Sequence, residues 1–227
     1  MTLFAEFLSD PGIYGPLILT LRICLVTVPL FLTAGIGLGY YLGRSRSLVA
    51  SCLDFVVSAP MVFPPIATGF GLLLLLGKKS LLGRALHDLF GVEIVFGFWG
   101  LAVAAFVSGL PLMVKPVQAA VGGEVARFME VSRVLGKTEI ETFFRVVLPL
   151  VRKNILAGLF LAWTRSIGEV GVSLMLGGNI VGRTNTVSLE IYNSVFTGDY
   201  QRAAMLAMLL AVASLAAMFV LRRLSSD

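Results

Sequence analysis

Charge is what this chain has least of. Asp, Glu, Lys and Arg make up 14% of its 227 residues, where a soluble domain carries about 25%. So little charge cannot cover a water-exposed surface, which excludes an ordinary soluble domain. Histidine occurs once, as His87 beside Asp88, in a setting that reads as a solvated polar loop rather than a metal or catalytic site. The two cysteines, Cys24 and Cys52, lie in apolar runs with no metal-site spacing and no redox motif. They read as small buried hydrophobes. No GxxxxGK[ST] or HExxH occurs, and no GxSxG, so the usual nucleotide, metalloprotease and serine-hydrolase signatures are missing. The first ten residues carry Glu6 and Asp10 and no basic cluster, unlike a cleaved signal peptide. Phe4, Phe7 and Leu8 suit a short interfacial helix.

What is abundant is apolar. Hydrophobic residues reach 57%, with 24 glycines and a mean hydropathy of +0.93. An all-α integral membrane protein follows, organised as one domain over 1–227. A span needs about 20 apolar residues, and five segments supply them: 14–42, 48–76, 94–117, 155–176 and 203–221. Pro29, Pro60, Pro64, Pro65 and Pro111 fall within them. Such breaks survive in lipid when neighbouring helices or water satisfy the freed backbone groups, so the spacing predicts irregular helices around a pathway. Gly35, Gly39 and Gly43 recur every four residues. That stripe suits close packing, within one bundle or between two copies.

Basic residues set the orientation. With the C-terminus in the cytoplasm, eleven Lys and Arg lie on that side, counting Lys115 at the cytoplasmic end of its span, and five on the other, from the sequence as written. N-terminus outside, C-terminus inside is therefore expected, and it accounts for a net charge of +5 without nucleic acid.

The polar interruption at 124–149, EVARFMEVSRVLGKTEIETFFRVVLP, then faces the cytoplasm. Phe128, Val131 and Leu135 make an apolar stripe. Gly136 suits the end of a helix. Thr138 and Glu141 form a capping-box pattern that opens a second helix, with Ile140, Phe143, Phe144 and Val147 on its apolar face. Two amphipathic helices meeting at a glycine corner are predicted, docked either in a partner's cleft or on lipid headgroups.

The spacing of this segment resembles the EAA loop of ABC-transporter permeases. Glu130-Val131-Ser132 stands for the opening Glu and two small residues, Gly136 follows four positions after Ser132, and Leu148-Pro149 closes the motif. Val131 and Ser132 replace the usual alanines. The likeness extends to molybdate and tungstate permeases through Val62–Leu86, Ser108–Ala120 and Trp163–Val195, with Val170 where that family usually has Phe. The resemblance implies the five-helix core of a type I importer that works as a pair of copies in the cell (inner) membrane. Its partners would be a separate ATPase subunit holding ATP and Mg, and an extracytoplasmic binding protein. No cofactor is implied on this chain. Glu130, Ser132, Leu135, Gly136, Lys137, Leu148 and Pro149 would couple to the ATPase. A sulfate permease is the rival within the class; a secondary transporter or channel without an ATPase is the rival outside it.

A dianion crossing lipid needs a polar path. Thr68, Ser108, Ser166 and Ser173 are candidate linings, although each hydroxyl suits its own helix backbone equally. Pro64-Pro65 reads as a rigid pathway segment or as a plain helix break. Arg165 and Glu169 share a face and read as a structural pair, since Glu169 repels an anion. Arg22 either snorkels outward or pairs inside the bundle. In the irregular outer loop from Gly177 to Thr186, the resemblance suggests Asn179, Arg183 and Thr184 as an outer gate or binding-protein contact; an ordinary surface loop fits the residues as well.

Overall fold

The computed structural model describes residues 11–226, and among them every regular element is helical. The interfacial helix expected around Phe4 to Leu8 lies outside the described residues. The first span is a single apolar helix, Gly12–Arg44, of 33 residues. It runs from Pro11–Leu30 (α1) through a π-helical turn, Phe31–Gly35, into Ile36–Arg44 (α2). Pro29 explains the turn: it donates no N–H and crowds the carbonyl four residues back, and the ladder resumes after one wide turn. The Thr33 hydroxyl donates to the Pro29 carbonyl at 2.8 Å. The glycine stripe packs inside one bundle. A Cβ on Gly39 would sit 2.7 Å from Val117 Cβ, and one on Gly43 2.7 Å from the Gln118 carbonyl.

The expected second span, 48–76, is two helices. Leu48–Val62 (α3) stops at Phe63, and Pro65–Leu76 (α4) begins two residues later. Phe63 and Pro64 each precede a proline, which disfavours helical backbone. Their ψ angles are 144° and 136°, extended in both cases. The tandem prolines therefore form a helix break. At 15 residues, α3 is about 22 Å long, short of a hydrocarbon core of about 30 Å. Leu81–Phe90 (α5) follows, and α4 and α5 together make one candidate span bent by 56°. Cys52 is exposed, against the buried position expected for it.

Phe98–Gly122 (α6) is the hub. Its Met113, Val117 and Val121 are buried against Phe31 of the π turn, Val147 and Ile155. Phe31 stacks on Phe106 with centroids 5.6 Å apart. Glu124–Val134 (α7) leads to the corner. There Glu139–Thr142 (α8) passes through a π turn, Phe143–Val147, into Leu148–Leu150 (α9). The chain then bends by 70° into Arg152–Ile167 (α10).

The expected fourth span, 155–176, is likewise broken. α10 ends at Ile167 and Gly171–Gly177 (α11) starts anew. The two broken regions meet: a Cβ on Gly171 would lie 2.9 Å from Pro65 Cβ, and one on Gly69 2.9 Å from Val172 Cα. The loop at 178–186 is irregular as expected, but Val187–Phe196 (α12) behind it is a helix that periodicity did not reveal. It is capped by the Thr186 hydroxyl and packs its buried Val187 on Ile13 and Leu206. Tyr200–Ser226 (α13) contains the last span, with Tyr200–Val220 apolar enough to cross.

Candidate functional site

The glycine corner is built as its residues dictate. Gly136 has φ +73°, a left-handed conformation that costs a side chain about 1 kcal/mol or more. The Gly136 N–H donates to the Arg133 carbonyl at 2.9 Å and the Lys137 N–H to the Ser132 carbonyl at 3.1 Å, the paired bonds of a Schellman ending. Thr138 then restarts the helix with a complete capping box: the Glu141 N–H donates to Thr138 Oγ1 at 3.2 Å, and the Thr138 N–H to Glu141 Oε2 at 3.2 Å. Ser132 and Thr142 share a buried hydrogen bond of 2.8 Å that ties the two arms together.

The outward face of the first arm carries the predicted stripe. Val125, Met129 and Ser132 face the bundle, while Phe128, Val131, Val134 and Leu135 are exposed, Leu135 by 72% and Val134 by 87%. On the second arm Val147 is buried and Phe143 packs edge-on against Tyr40, whereas Ile140 and Phe144 stand exposed. The corner thus presents apolar side chains to its surroundings from both arms. Glu130 and Lys137 flank them, both exposed, and Glu130 has no ion-pair partner among the described residues. Leu148 is half-buried and Pro149 exposed. They lie at the foot of the second arm, and Pro149 falls one residue inside the helix it was expected to close.

Ionic contacts hold the corner to the first span. Arg44 grips Glu139 with both nitrogens, Nη2 to Oε1 at 2.6 Å, and Arg133 approaches the same carboxylate at 3.5 Å. Outside the membrane, the Arg44 hydrogen bonds hold the Glu139 carboxyl below the ordinary carboxylate range. Glu141 is lowered chiefly by the Thr138 backbone N–H, then by Lys137. A lowered acid contributes above its unfolded value, about 4.3, and loses that contribution only as pH falls through the lower folded value. Activity that depends on the corner is therefore expected to show no titration from Glu139 between pH 6 and 8. Reversing the Arg44–Glu139 pair should restore part of what either single reversal loses, the remainder being the repulsion of the new Arg by Arg133. Because the pair is exposed, the single losses should be modest and shrink in high salt; activity against pH and ionic strength checks both.

The candidate pathway residues do not converge. Thr68 is half-buried and lines a cavity of about 620 Å³ between α3, α4 and α6 whose walls are otherwise apolar: Val57, Pro60, Phe63, Leu72, Val107 and Leu110 among them. Its Oγ1 is buried with no hydrogen-bond partner among the described residues. Ser166, Glu169 and Ser173 line a different pocket of about 10 Å³ with Thr20 and Thr186, room for a single water. Ser166 donates to its own helix at the Trp163 carbonyl, 3.0 Å away. Ser108 is buried in α6 and borders neither cavity. Pro64 and Pro65 are exposed. Glu169, 2% exposed, binds Arg165 at 2.5 Å and accepts the Val172 N–H at 2.8 Å. It pairs with α10 and caps α11, a structural duty.

The outer-loop residues also divide. Thr184 is fully buried, donating to the Gly177 carbonyl at 2.7 Å and accepting the Ile180 N–H at 2.8 Å, so its side chain offers no surface contact. Asn179 donates to Asn193 of α12 at 2.6 Å. Arg183 is exposed. Asp54 of α3 and Lys115 of α6, joined at 2.7 Å, form an interhelical pair not singled out from the sequence. A carboxylate seven residues into an apolar segment, which lipid penalises by several kcal/mol unless paired, is the signal that points to it.

Comparison with known proteins agrees with this architecture. The model of the family described as "Binding-protein-dependent transport system inner membrane component" matches residues 35–227. The chain is 36% identical over 189 residues to the molybdenum transport system permease protein ModB of Azotobacter vinelandii, covering 83% of this chain and 84% of that one. It is 33% identical over 190 residues to ModB of Escherichia coli K12, covering 84% and 82%. It is also 30% identical over 212 and 217 residues respectively to ModB of Mycobacterium bovis, covering 93% and 80%, and to the chloroplastic sulfate permease 2 of Chlamydomonas reinhardtii, covering 96% and 58%. A helical bundle with membrane-spanning elements, an EAA-type corner and a family match over most of its length together establish that this chain belongs to the inner membrane component family of binding-protein-dependent transport systems.

Proposed function

We propose that the chain is the transmembrane subunit of an ATP-driven importer for molybdate or tungstate, acting as a pair of copies on a separate ATPase. The observation that carries this reading is the corner at Gly136. It is rigidly closed by its own hydrogen bonds and tied to the first span by Arg44, yet it presents Leu135, Val134, Ile140 and Phe144 to the surroundings. Exposed apolar side chains on a braced, charged-rimmed projection suit insertion into a protein cleft. Closure of the ATPase pair would push each corner. The Arg44–Glu139 contact and the α6 packing would then pass that push to the spans as rigid-body movement, while the weak points at Phe63-Pro64 and Gly168–Val170 give where the two broken helices meet. ATP and Mg would be held by the ATPase, the binding protein would deliver the anion at the opposite end, and the C-terminus would lie in the cytoplasm.

The names of the relatives support molybdate, and the sulfate permease among them keeps sulfate as a second substrate. Proteoliposomes with the permease, its ATPase and its binding protein test the proposal. ATP-dependent uptake of labelled molybdate is expected, with tungstate competing more strongly than sulfate. Uptake that persists without any ATPase subunit would reject the importer in favour of a secondary transporter or channel. Sulfate competing best would change the substrate.

A further inference from the structure

At the end of the bundle remote from the corner, α1 and the 178–186 loop enclose a cavity of about 230 Å³. Arg22 enters it from α1, with Gly15, Pro16 and Leu19 as part of the floor, and Arg183 and Asn185 enter from the loop. Arg22 precedes Arg44 by 22 helical residues, about 33 Å along the axis. The loop is held at this depth because the Val187 N–H donates to Thr20 Oγ1 at 3.1 Å. Both guanidiniums are exposed, and neither has a carboxylate within ion-pair distance among the described residues; Glu93 feels Arg183 at longer range and is itself held by Lys78 at 2.7 Å. The acid nearest in sequence to Arg183 is already engaged: Glu190 binds Arg202 at 2.6 Å and accepts the Asn185 amide. Asn185 Oδ1 is buried without a partner, an acceptor suited to a water or to an N–H of one of the arginines, and not to an anion.

A guanidinium ten residues into an apolar helix is costly unless something balances it. Two of them on one small, solvent-open cavity sum to a charge that attracts a dianion. Each presents planar N–H donors matched to tetrahedral oxygens. Gly182, at φ +77°, lets the loop backbone turn over the cavity where a side chain would strain. Exposure to water keeps the binding weak, as a site that must release its ion requires.

We propose that this cavity is an oxyanion-binding site, with Arg22 and Arg183 as its ligands, filled by a tetrahedral oxyanion group from the imported ion or from a lipid phosphate. The proposal rests on the importer reading above, which sets this end on the outer face.

Equilibrium binding of labelled molybdate to the permease–ATPase complex, without binding protein, tests it in phosphatidylcholine nanodiscs. A parallel set contains phosphatidylglycerol, and native mass spectrometry counts the retained lipid. Loss of one charge-assisted contact should weaken binding about tenfold, for Arg22→Gln and for Arg183→Gln alike, with Arg22→Lys closer to wild type. Weaker molybdate binding in both glutamine variants identifies the imported ion as occupant. Loss of retained phosphatidylglycerol, with no molybdate bound by any form, identifies the headgroup. Arg183 lies on a loop, so Arg183→Gln remains informative if Arg22→Gln folds poorly, and co-purification of the ATPase reports folding for each. Wild type and both glutamine variants alike in both ligands would overturn the site. Uptake by the wild type in proteoliposomes is read separately, so a working importer with indifferent arginines rejects this site alone.

Discussion

Replacing Gly136 with proline is expected to strip the ATPase subunit from this permease while the bundle still inserts. Proline fixes φ near −65°, and Gly136 stands at +73°. The substitution also removes the N–H that closes on Arg133. The Schellman ending cannot survive both, and the two arms lose the angle at which they present Leu135 and Ile140. A Cβ on Gly136 would meet nothing within 4 Å, so the damage stays in the corner and spares the core. Gly136→Ala has the space but must adopt a left-handed backbone, at about 1 kcal/mol, and should reduce association only partly. Leu135→Asp separates docking from shape. That side chain is 72% exposed in this chain, so a charge there is harmless to the free permease and unfavourable in an apolar cleft. Co-purification of the ATPase with tagged permease and ATP hydrolysis by the purified complex measure all three. Retention of the ATPase at wild-type level by both Gly136→Pro and Leu135→Asp would mean that the corner is not the contact.

The second large effect is on folding. Gly109 of α6 sits where the π turn of the first span and α10 converge. A Cβ there would lie 2.5 Å from Phe31 Cζ and 2.7 Å from the Ala162 carbonyl oxygen. The ring is fully buried and stacked on Phe106, and the carbonyl belongs to backbone, so neither neighbour yields easily. Gly109→Val should cost at least the 1–3 kcal/mol typical of overpacking, a large share of a stability of about 5–15 kcal/mol. Monodisperse, detergent-extractable protein should largely disappear. Gly37→Val is the control, because nothing lies within 4 Å of a Cβ there. Equal thermal stability of the two variants would contradict the packing described for α6.

Much of this was legible in the residues themselves. The charge deficit and the long apolar runs marked a membrane bundle. Gly136, Thr138 and Glu141 specified the corner through local backbone rules that tertiary context did not override. The spans were less legible. Hydropathy reports which residues avoid water and says nothing of helix continuity, so 48–76 and 155–176 each counted as one span although Phe63-Pro64 and Gly168–Val170 interrupt them; a helix break was among the readings only at Pro64-Pro65. Of these, the tandem proline carried a clear steric signal; the break at Glu169 depends on a buried ion pair and cap that only the fold brings together. The stripe of Phe128, Val131 and Leu135 on α7 was legible and stands exposed, but the residues that turn inward behind it were not. Both faces of that helix are apolar, and the choice of Met129 over Phe128 for the interior is made by the shape of α6 and by the Ser132–Thr142 bond. The buried helix at Val187–Phe196 was hidden because Ser188, Glu190 and Ser194 break its apolar pattern; Ser188 and Glu190 are satisfied by Ile167, Asn185 and Arg202.

Coupling requires that the corner touch the ATPase, and cross-linking reads that contact directly. With Cys24 and Cys52 replaced by serine, Leu135→Cys should yield a cross-linked product of permease plus ATPase in membranes that still take up the anion. Lys79→Cys, on the loop between α4 and α5, should yield none. Full uptake with no product from residue 135, across reagents of different reach, would contradict it.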